Sequence, residues 1–349
     1  MSVTPSARVL GEPRDLIAAI PHLLGFHPHD SLVLVCVKHR QTVASLRIDL
    51  PPARHRQAHA VQALDMARGQ DVDGILLFVI GGGVWVSSAS ELPHSGLIEV
   101  MKQTATSMGM RTILAVWAES TQAGARWHGY DSPDWTGTVR DPSTTALAAA
   151  TVAAGLVTFT SREELAAQLA PVADEIIARR AVLLDHSPAW RPSGPAASAA
   201  FRSVRDAVAA GSDRRHPLED GEVVELARAL FDPSVRDACV SFAFGPRAET
   251  AERLWLELTR GCPTSVRANP TVLLALSAYI RGDGALASLA LDHALSAEPR
   301  HRLGTLLRTS VDGGLPDRIV AFFHDSSIAE TERLLKSPGE QDTRGQIHR

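Results

Sequence analysis

The stretch ILLFVI at residues 75–80 decides the fold of the N-terminal half, because it is apolar at every position. Such a run is typical of a strand that is covered on both faces, as in α/β proteins. Residues 54–68 before it and 95–108 after it have the apolar spacing of helices, and residues 111–117 form another apolar, strand-like run. Strands separated by helices predict parallel pairing through right-handed crossovers.

The segments nearer the N-terminus extend this pattern. Residues 15–24 place their apolar side chains on one helical face, and residues 32–37 predict a buried strand. Residues 43–50 alternate between polar and apolar, which predicts a strand with one apolar face. These two adjacent strands can also pair as a hairpin. The predicted fold class is therefore an α/β N-terminal domain with a mixed, largely parallel sheet of at least four strands and helices on both faces.

The middle of the chain adds helices. Residues 126–130 predict a strand or loop at the sheet edge, and residues 144–154 predict an Ala-rich helix. The segment SREE at 161–164 is a capping box, in which Ser161 caps a helix start and Glu164 reaches back. A helix is therefore expected from about residue 163.

A segment rich in Pro, Ser, Gly and Ala at residues 186–198 predicts a linker. It divides an α/β domain (1–185) from an all-helical domain (199–335), and a polar, disordered tail is expected at 336–349. Within the helical domain no segment has a convincing strand pattern. The helical periodicity recurs at residues 199–211, 218–231, 234–242, 247–260, 268–281, 284–297, 301–312 and 316–324.

The composition excludes several classes of protein. The net charge is -4, and the sequence has no basic stripe of the kind that nucleic-acid binders carry. The apolar run at 75–80 is far shorter than the roughly 20 residues that span a bilayer. Three cysteines without a CxxC pair fit a reducing compartment. We therefore expect a soluble cytoplasmic protein with neither a nucleic-acid nor a membrane partner.

Two groups of polar residues are candidates for a binding site. His27, His29 and Asp30 have side chains of types that bind metals. The two histidines can converge from one loop, but no third ligand is identifiable, so a structural turn is favoured and no metal is predicted. Arg47 and Asp49 share the polar face of a predicted strand, where they form either a ligand site or a solvent-exposed ion pair.

Other motifs fail the tests for known chemistry. Residues 81–83 (GGG) follow a buried strand, but they lack the spacing of phosphate-binding loops, and a short strand at 84–86 is predicted after them. No GxSxG elbow occurs, and Cys36 lies in an apolar strand with nothing to lower its pKa. Trp127 lies in a polar context, where it lines either a pocket or the edge of the core. No particular cofactor is indicated.

Several segments together resemble an actinobacterial family known as domain of unknown function 4192. They are LLGFHP (23–28), SLVLV (31–35), RIDLP (47–51), VAAG (152–155), SREEL (161–165), LAP (169–171) and RGDGALA (281–287). The resemblance spans roughly residues 8 to 312 and implies no activity. The family pattern usually has cysteines after a Gly-Arg-Trp segment. Here ARW at 125–127 is followed by no cysteine through residue 135. If the cysteines of the family bind a metal or form a redox switch, this chain cannot use them in that way.

A second resemblance covers residues 271–300, which are similar to one tetratricopeptide helix pair. Its small and apolar positions are Ala275, Ala278, Ala287, Leu291, Ala294 and Pro299. No second copy is evident, whereas a stable solenoid needs about three repeats. A generic helix hairpin is the alternative.

Two functions remain open at this point. The first is a non-catalytic protein that binds a small ligand in the α/β domain or a protein partner through the helical domain. The alternative is a hydrolase or transferase with its site at the strand ends of the α/β domain. The candidate residues are His27, Asp30, Ser31, Arg47, Asp49 and Trp127.

Overall fold

The computed structural model describes residues 11–68, 72–85, 91–132, 134–187, 194–211, 214, 216–312 and 317–336. The chain contacts divide it into two units, and the main segment of the first unit ends at Gln168. Two short later segments also belong to the first unit, of which Gly282–Ala285 is fully described.

The first unit alternates strands and helices. Its helices are α1 (Pro13–Leu24), α2 (Arg56–Arg68), α3 (Ser95–Ser107), α4 (Ala146–Ala153) and α5 (Arg162–Ala167). Its strands are β1 (Ser31–Lys38), β2 (Gln41–Asp49), β3 (Gly74–Ile80), β4 (Arg111–Ala118), β5 (Arg126–Gly129) and β6 (Thr136–Thr138). The predicted helices and the four main strands are therefore confirmed. Val84 and Trp85 are not in a strand, and Val86 of that predicted strand lies outside the described residues.

The six strands form one mixed sheet in the order β2-β1-β3-β4-β5-β6. Only β3 and β4 pair in parallel, and the other four pairs are antiparallel. The prediction of a largely parallel sheet is therefore wrong.

The connections explain the difference. A two-residue turn, His39 and Arg40, both with positive φ, joins β1 to β2 as a hairpin. Helix α2 then carries the chain across β1, so β3 runs in the direction of β2 but pairs with β1 instead. A crossover helix fixes the direction of the next strand but not its neighbour. After β4, short connections leave only antiparallel pairing for β5 and β6.

One face of the sheet forms a continuous apolar core with α2 and α3. Its largest side chain is Trp117, which is 1% exposed and donates its indole N–H to Gly81 O at 2.8 Å. The strands contribute Leu32, Leu34, Cys36, Ile75, Leu77, Val79 and Ala115. The helices contribute Ala60, Ala63, Leu64, Ala67, Leu97, Ile98, Met101 and Ala105. On the opposite face, Val33, Phe78 and Val116 are also buried, which agrees with the unbroken apolar pattern of the central strands.

Among its described residues the second unit contains helices joined by loops and no strand, as predicted. Its helices are α6 (Asp174–His186), α7 (Gly194–Ala210), α8 (Asp220–Ala229), α9 (Pro233–Cys239), α10 (Ala248–Gly261), α11 (Thr264–Arg281), α12 (Gly284–Ala297), α13 (Arg302–Asp312) and α14 (Asp317–Leu335). Helix α14 is longer than the periodicity predicts. Among the described helices, none is both long and apolar enough to cross a membrane.

The predicted domain boundary differs from the division that the contacts give. Helix α6 belongs to the second unit, because the division falls after Gln168 rather than near residue 190. Residues 188–193 of the predicted linker lie outside the described residues, and residues 194–198 already belong to α7. The predicted tail, beyond Lys336, also lies outside them.

A buried cation holds three parts of the second unit together. Arg180 of α6 is 7% exposed, and its Nε donates to Asp220 Oδ1 at 2.8 Å. Its Nη1 donates to the carbonyl oxygen of Gly261 at 2.9 Å. The neighbouring Arg179 also binds Asp220, but its side chain is 61% exposed. Helices α6, α8 and the end of α10 thus meet at one guanidinium.

Candidate functional site

The candidate residues lie at one end of the strands, where β1 and β5 begin and where β2, β3 and β4 end. The register aligns one residue from each strand in a single row there. In order across the sheet the row is Asp49, Ser31, Ile80, Ala118, Trp127 and Gly137. Side chains directly opposite one another point to the same face. The carboxyl ends of parallel strands in α/β sheets are a common place for ligands.

The row is too wide for all the candidates to contact one small ligand. Neighbouring strands lie about 4.8 Å apart, so Ser31 and Trp127, three strands apart, are separated by roughly 14 Å. The structure therefore divides the six predicted residues into separate groups.

The first group is Arg47, Ser31 and Asp49. Arg47 donates from Nε to Ser31 Oγ at 2.8 Å, and its Nη1 lies 2.7 Å from Asp49 Oδ1. Ser31 is fully buried, and its hydroxyl donates to His29 O at 2.5 Å. The Arg47 side chain is 21% exposed, and its Nη2 has no hydrogen bond to any described residue. Nε and Nη1 thus hold the guanidinium in place, and among the described residues Nη2 is left to bind a ligand.

The carboxylate of Glu163, in the first turn of α5, lies near enough to this group to interact with the charge of Arg47. The pKa of Glu163 is lowered by a hydrogen bond from its own backbone N–H and by one from Ser161, and the charges of Arg162 and Arg47 add to the effect. Ser161 caps α5 as predicted, because its Oγ accepts from Glu164 N at 3.2 Å. Glu164 reaches back to Thr160, binding its backbone N–H and its hydroxyl at 2.7 and 2.5 Å.

The second group contains Asp30, which holds the glycine loop after β3. Its Oδ1 accepts the Gly82 N–H at 2.6 Å, and the ring Nε2 of His94 donates to Gly82 O at 2.8 Å. The Gly81 N–H donates to Ala118 O at 2.9 Å. Because both amide hydrogens have acceptors, these glycines do not form an open anion-binding nest. Asp30 and His94 fix the loop, and no motif in the sequence indicated the role of His94.

The third group is His27 with Thr121 and Gln122. The His27 Nδ1 lies 2.8 Å from Thr121 Oγ1 and 3.4 Å from Gln122 Nε2. Burial lowers the pKa of His27, and the charges of His22 and His29 lower it further. Thr121 is 1% exposed, so its hydroxyl is not accessible to a substrate. His27 therefore joins the segment between α1 and β1 to the loop after β4.

Trp127 packs at the margin of the hydrophobic core and does not belong to the Arg47 group. It is 5% exposed and contacts Trp135 edge-to-face with ring centroids 5.4 Å apart. A Cβ on Gly137 would lie only 3.0 Å from its indole Nε1, so the ring packs directly over that glycine. Its Nε1 is buried and has no hydrogen-bond partner among the residues that the structure describes.

No three His, Cys, Asp or Glu side chains within the described ranges are grouped so that they could hold a metal ion. His55 and His59 are four residues apart around the start of α2, but the Nδ1 of His59 contacts the carbonyl oxygen of His55 at 3.1 Å, as in an exposed helix turn. Besides Arg47 with Asp49, the charged side chains at this end of the strands include the Glu119–Arg126 ion pair, in which Arg126 Nη2 lies 2.8 Å from Glu119 Oε1.

The geometry can be compared with known proteins. The family model described as domain of unknown function (DUF4192) matches residues 13–318, which is most of the chain. The chain belongs to the DUF4192 family. The DUF4192 match includes every candidate residue above, but its description assigns no activity to any of them. No curated protein and no solved structure matches the chain.

Proposed function

We propose that this DUF4192 chain is a non-catalytic binding protein whose α/β unit holds a small polar ligand through Arg47. The observation that carries the proposal is the Nη2 of Arg47, which has no hydrogen bond within the described part of the chain while Ser31 and Asp49 hold the rest of the guanidinium in place. A fixed guanidinium loses little conformational entropy when it binds, and its planar donors match the paired oxygens of a carboxylate or phosphate. The ligand class is therefore a small molecule with such an anionic group.

The neighbouring carboxylates narrow the choice of ligand. Asp49 is 84% exposed beside Arg47, and the charge of Arg47 reaches Glu163. A ligand with several negative charges would be repelled by these two groups, whereas a single anionic group with polar or cationic atoms around it would be accepted. Like charges in close contact are a recognised means of rejecting wrong ligands.

The same contacts give little support to the alternative, a hydrolase or transferase at the strand ends. Ser31 is buried, accepts from Arg47 and donates its hydroxyl proton to the backbone oxygen of His29 rather than to a side-chain base, which a nucleophilic serine requires. Burial raises the pKa of Cys36 and Cys262 to about 12, and it also raises that of Cys239. Thiols of this kind stay protonated and are poor nucleophiles.

A protein partner for the helical unit remains a prediction, as do the cytoplasmic location, the tetratricopeptide-like character of α11 and α12, and the absence of nucleic-acid or membrane partners. One feature favours a partner. Helix α14 exposes three large apolar side chains, Phe322 at 60%, Ile328 at 40% and Leu335 at 46%.

The ligand proposal is tested with Arg47→Gln and a matched control, Arg54→Gln, which removes the same charge from an exposed position. A thermal-shift panel uses inorganic phosphate, acetate, glutamate, citrate and ATP as probes, and hits are titrated by calorimetry. A hydrogen bond to a charged group contributes about 1.5–3 kcal/mol. We therefore expect Arg47→Gln to weaken the best probe by roughly ten- to a hundredfold and Arg54→Gln to have no effect.

Three results would contradict the proposal. The first is binding that both variants retain equally. The second is a panel in which the wild-type protein binds none of the probes. The third is chemical conversion of a bound probe by the wild-type protein, which would favour the enzyme alternative.

A further inference from the structure

A buried histidine marks the start of helix α13 in the second unit. His301 is 2% exposed and directly precedes Arg302, the first residue of that helix. Its Nδ1 accepts the backbone N–H of Gly304 at 3.0 Å. A side chain that accepts this N–H is an N-cap, because it provides an acceptor for an amide with no partner inside the helix.

The other ring nitrogen ties α13 to helix α11. His301 Nε2 lies 3.0 Å from Asn269 Oδ1, and Arg236 Nη1 of helix α9 donates to the same oxygen at 3.4 Å. Since Nδ1 must accept from Gly304, the neutral ring carries its single hydrogen on Nε2 and donates it to Asn269. The neutral ring therefore satisfies both contacts at once.

A second proton on this ring would remove one contact and oppose its surroundings. Protonated Nδ1 can no longer accept from Gly304, so the cap is lost. The new positive charge would lie at a helix N-terminus, whose dipole disfavours cations. It would also lie near the guanidinium of Arg236. Asp237 of α9 and Glu298, just before α13, are the acidic groups that partly offset this repulsion.

We propose that His301 is a pH-sensitive latch on the first turn of α13, which holds that turn while the ring is neutral and releases it on protonation. The protonated ring loses its contact with Gly304 and is repelled by Arg236, although Nε2 can still donate to Asn269. The latch is closed at neutral pH and opens as the solution becomes acidic. Its geometry depends on two hydrogen bonds of which one requires an unprotonated Nδ1.

The direction of the effect follows from linkage. Burial, and then the charge of Arg236, lower the pKa of His301 below its ordinary value of 6.5. In the released state the ring titrates near 6.5, so it binds more protons there than in the latched state. The stabilisation is complete above pH 6.5 and decreases as the pH falls from 6.5 toward the lower pKa of the latched ring. Within that window the equilibrium for opening rises by up to tenfold per pH unit.

Hydrogen exchange tests the latch in the full-length protein. Amides of α13 are followed from pH 7.5 to 5.0 and corrected for intrinsic exchange, in the wild type and in His301→Asn. Asparagine can cap the helix but does not titrate in this range. We expect opening of the Gly304 region to increase by as much as tenfold per pH unit below 6.5 in the wild type and to stay constant in the variant. The same pH response in both proteins would overturn the proposal.

A second measurement needs no variant. The His301 ring resonances are titrated by NMR, and we expect a pKa below 6.5. A ring that titrates at 6.5 or above would show that the latched state does not favour the neutral form. His27, whose pKa is lowered in the same direction, belongs to the first unit, so the local α13 readout separates the two residues.

Discussion

Replacing Gly82 with alanine is expected to reduce the free energy of unfolding of the first unit by about 3 kcal/mol. Gly82 has φ +72°, a left-handed conformation that costs an L residue about 1–2 kcal/mol. An added Cβ would lie 2.3 Å from Leu50 Cδ1 and 2.7 Å from His94 Nε2. Leu50 can move, but His94 must give up its hydrogen bond to Gly82 O.

Gly109→Ala is the matched control for this substitution. Gly109 has φ +77°, almost the same as Gly82, but an added Cβ meets no atom within 4 Å. It therefore carries the backbone cost alone, about 1–2 kcal/mol. Chemical denaturation followed by circular dichroism measures both variants. Equal losses would show that His94 and Leu50 do not pack against the glycine loop as described.

Arg180→Met is the second substitution with a large expected effect, a loss of about 3–5 kcal/mol from the stability of the helical unit. The substitution removes a buried cation and leaves the Gly261 carbonyl without its donor. It also removes the hydrogen bond that, ahead of the contact from Arg179, keeps the pKa of Asp220 low.

The adjacent Arg179→Met is a strict control, since both arginines bind Asp220. The Arg179 side chain is 61% exposed, and an exposed ion pair contributes no more than about 1 kcal/mol. The free energies of unfolding of the two variants in urea separate the effect of removing a buried arginine from the effect of removing a positive charge beside Asp220. Similar losses for both would contradict the assignment of Arg180 as the residue that joins α6, α8 and α10.

The extent to which sequence predicts this fold depends on which interactions are local. The run at 75–80 and the alternation at 43–50 specify strands, because burial of side chains sets both patterns. Pairing is not local. Helix α2 fixed the direction of β3 correctly, but nothing in the sequence shows that β1 lies between β2 and β3. The short strand β6, residues 136–138, has too few residues to give a pattern.

The candidate site was predictable to a similar degree. Arg47, Ser31 and Asp49 are in contact, and the polar face of a strand was sufficient to find the two charged residues. In the sequence, Asp30 and Trp127 are equally good candidates for ligand binding. In the structure, Asp30 instead holds the glycine loop and Trp127 packs on Gly137. The positions of His94 and Glu163 depend on how distant elements pack, which a single sequence does not reveal.

The central claim is that Arg47 binds the ligand of this protein, and a crystal structure of the protein purified with its native ligand tests it most directly. The claim predicts an anionic group of the bound molecule with an oxygen at about 2.9 Å from Arg47 Nη2, next to Ser31 and unaltered by reaction. A ligand bound away from Arg47, or one captured as a covalent or hydrolysed product, would contradict it.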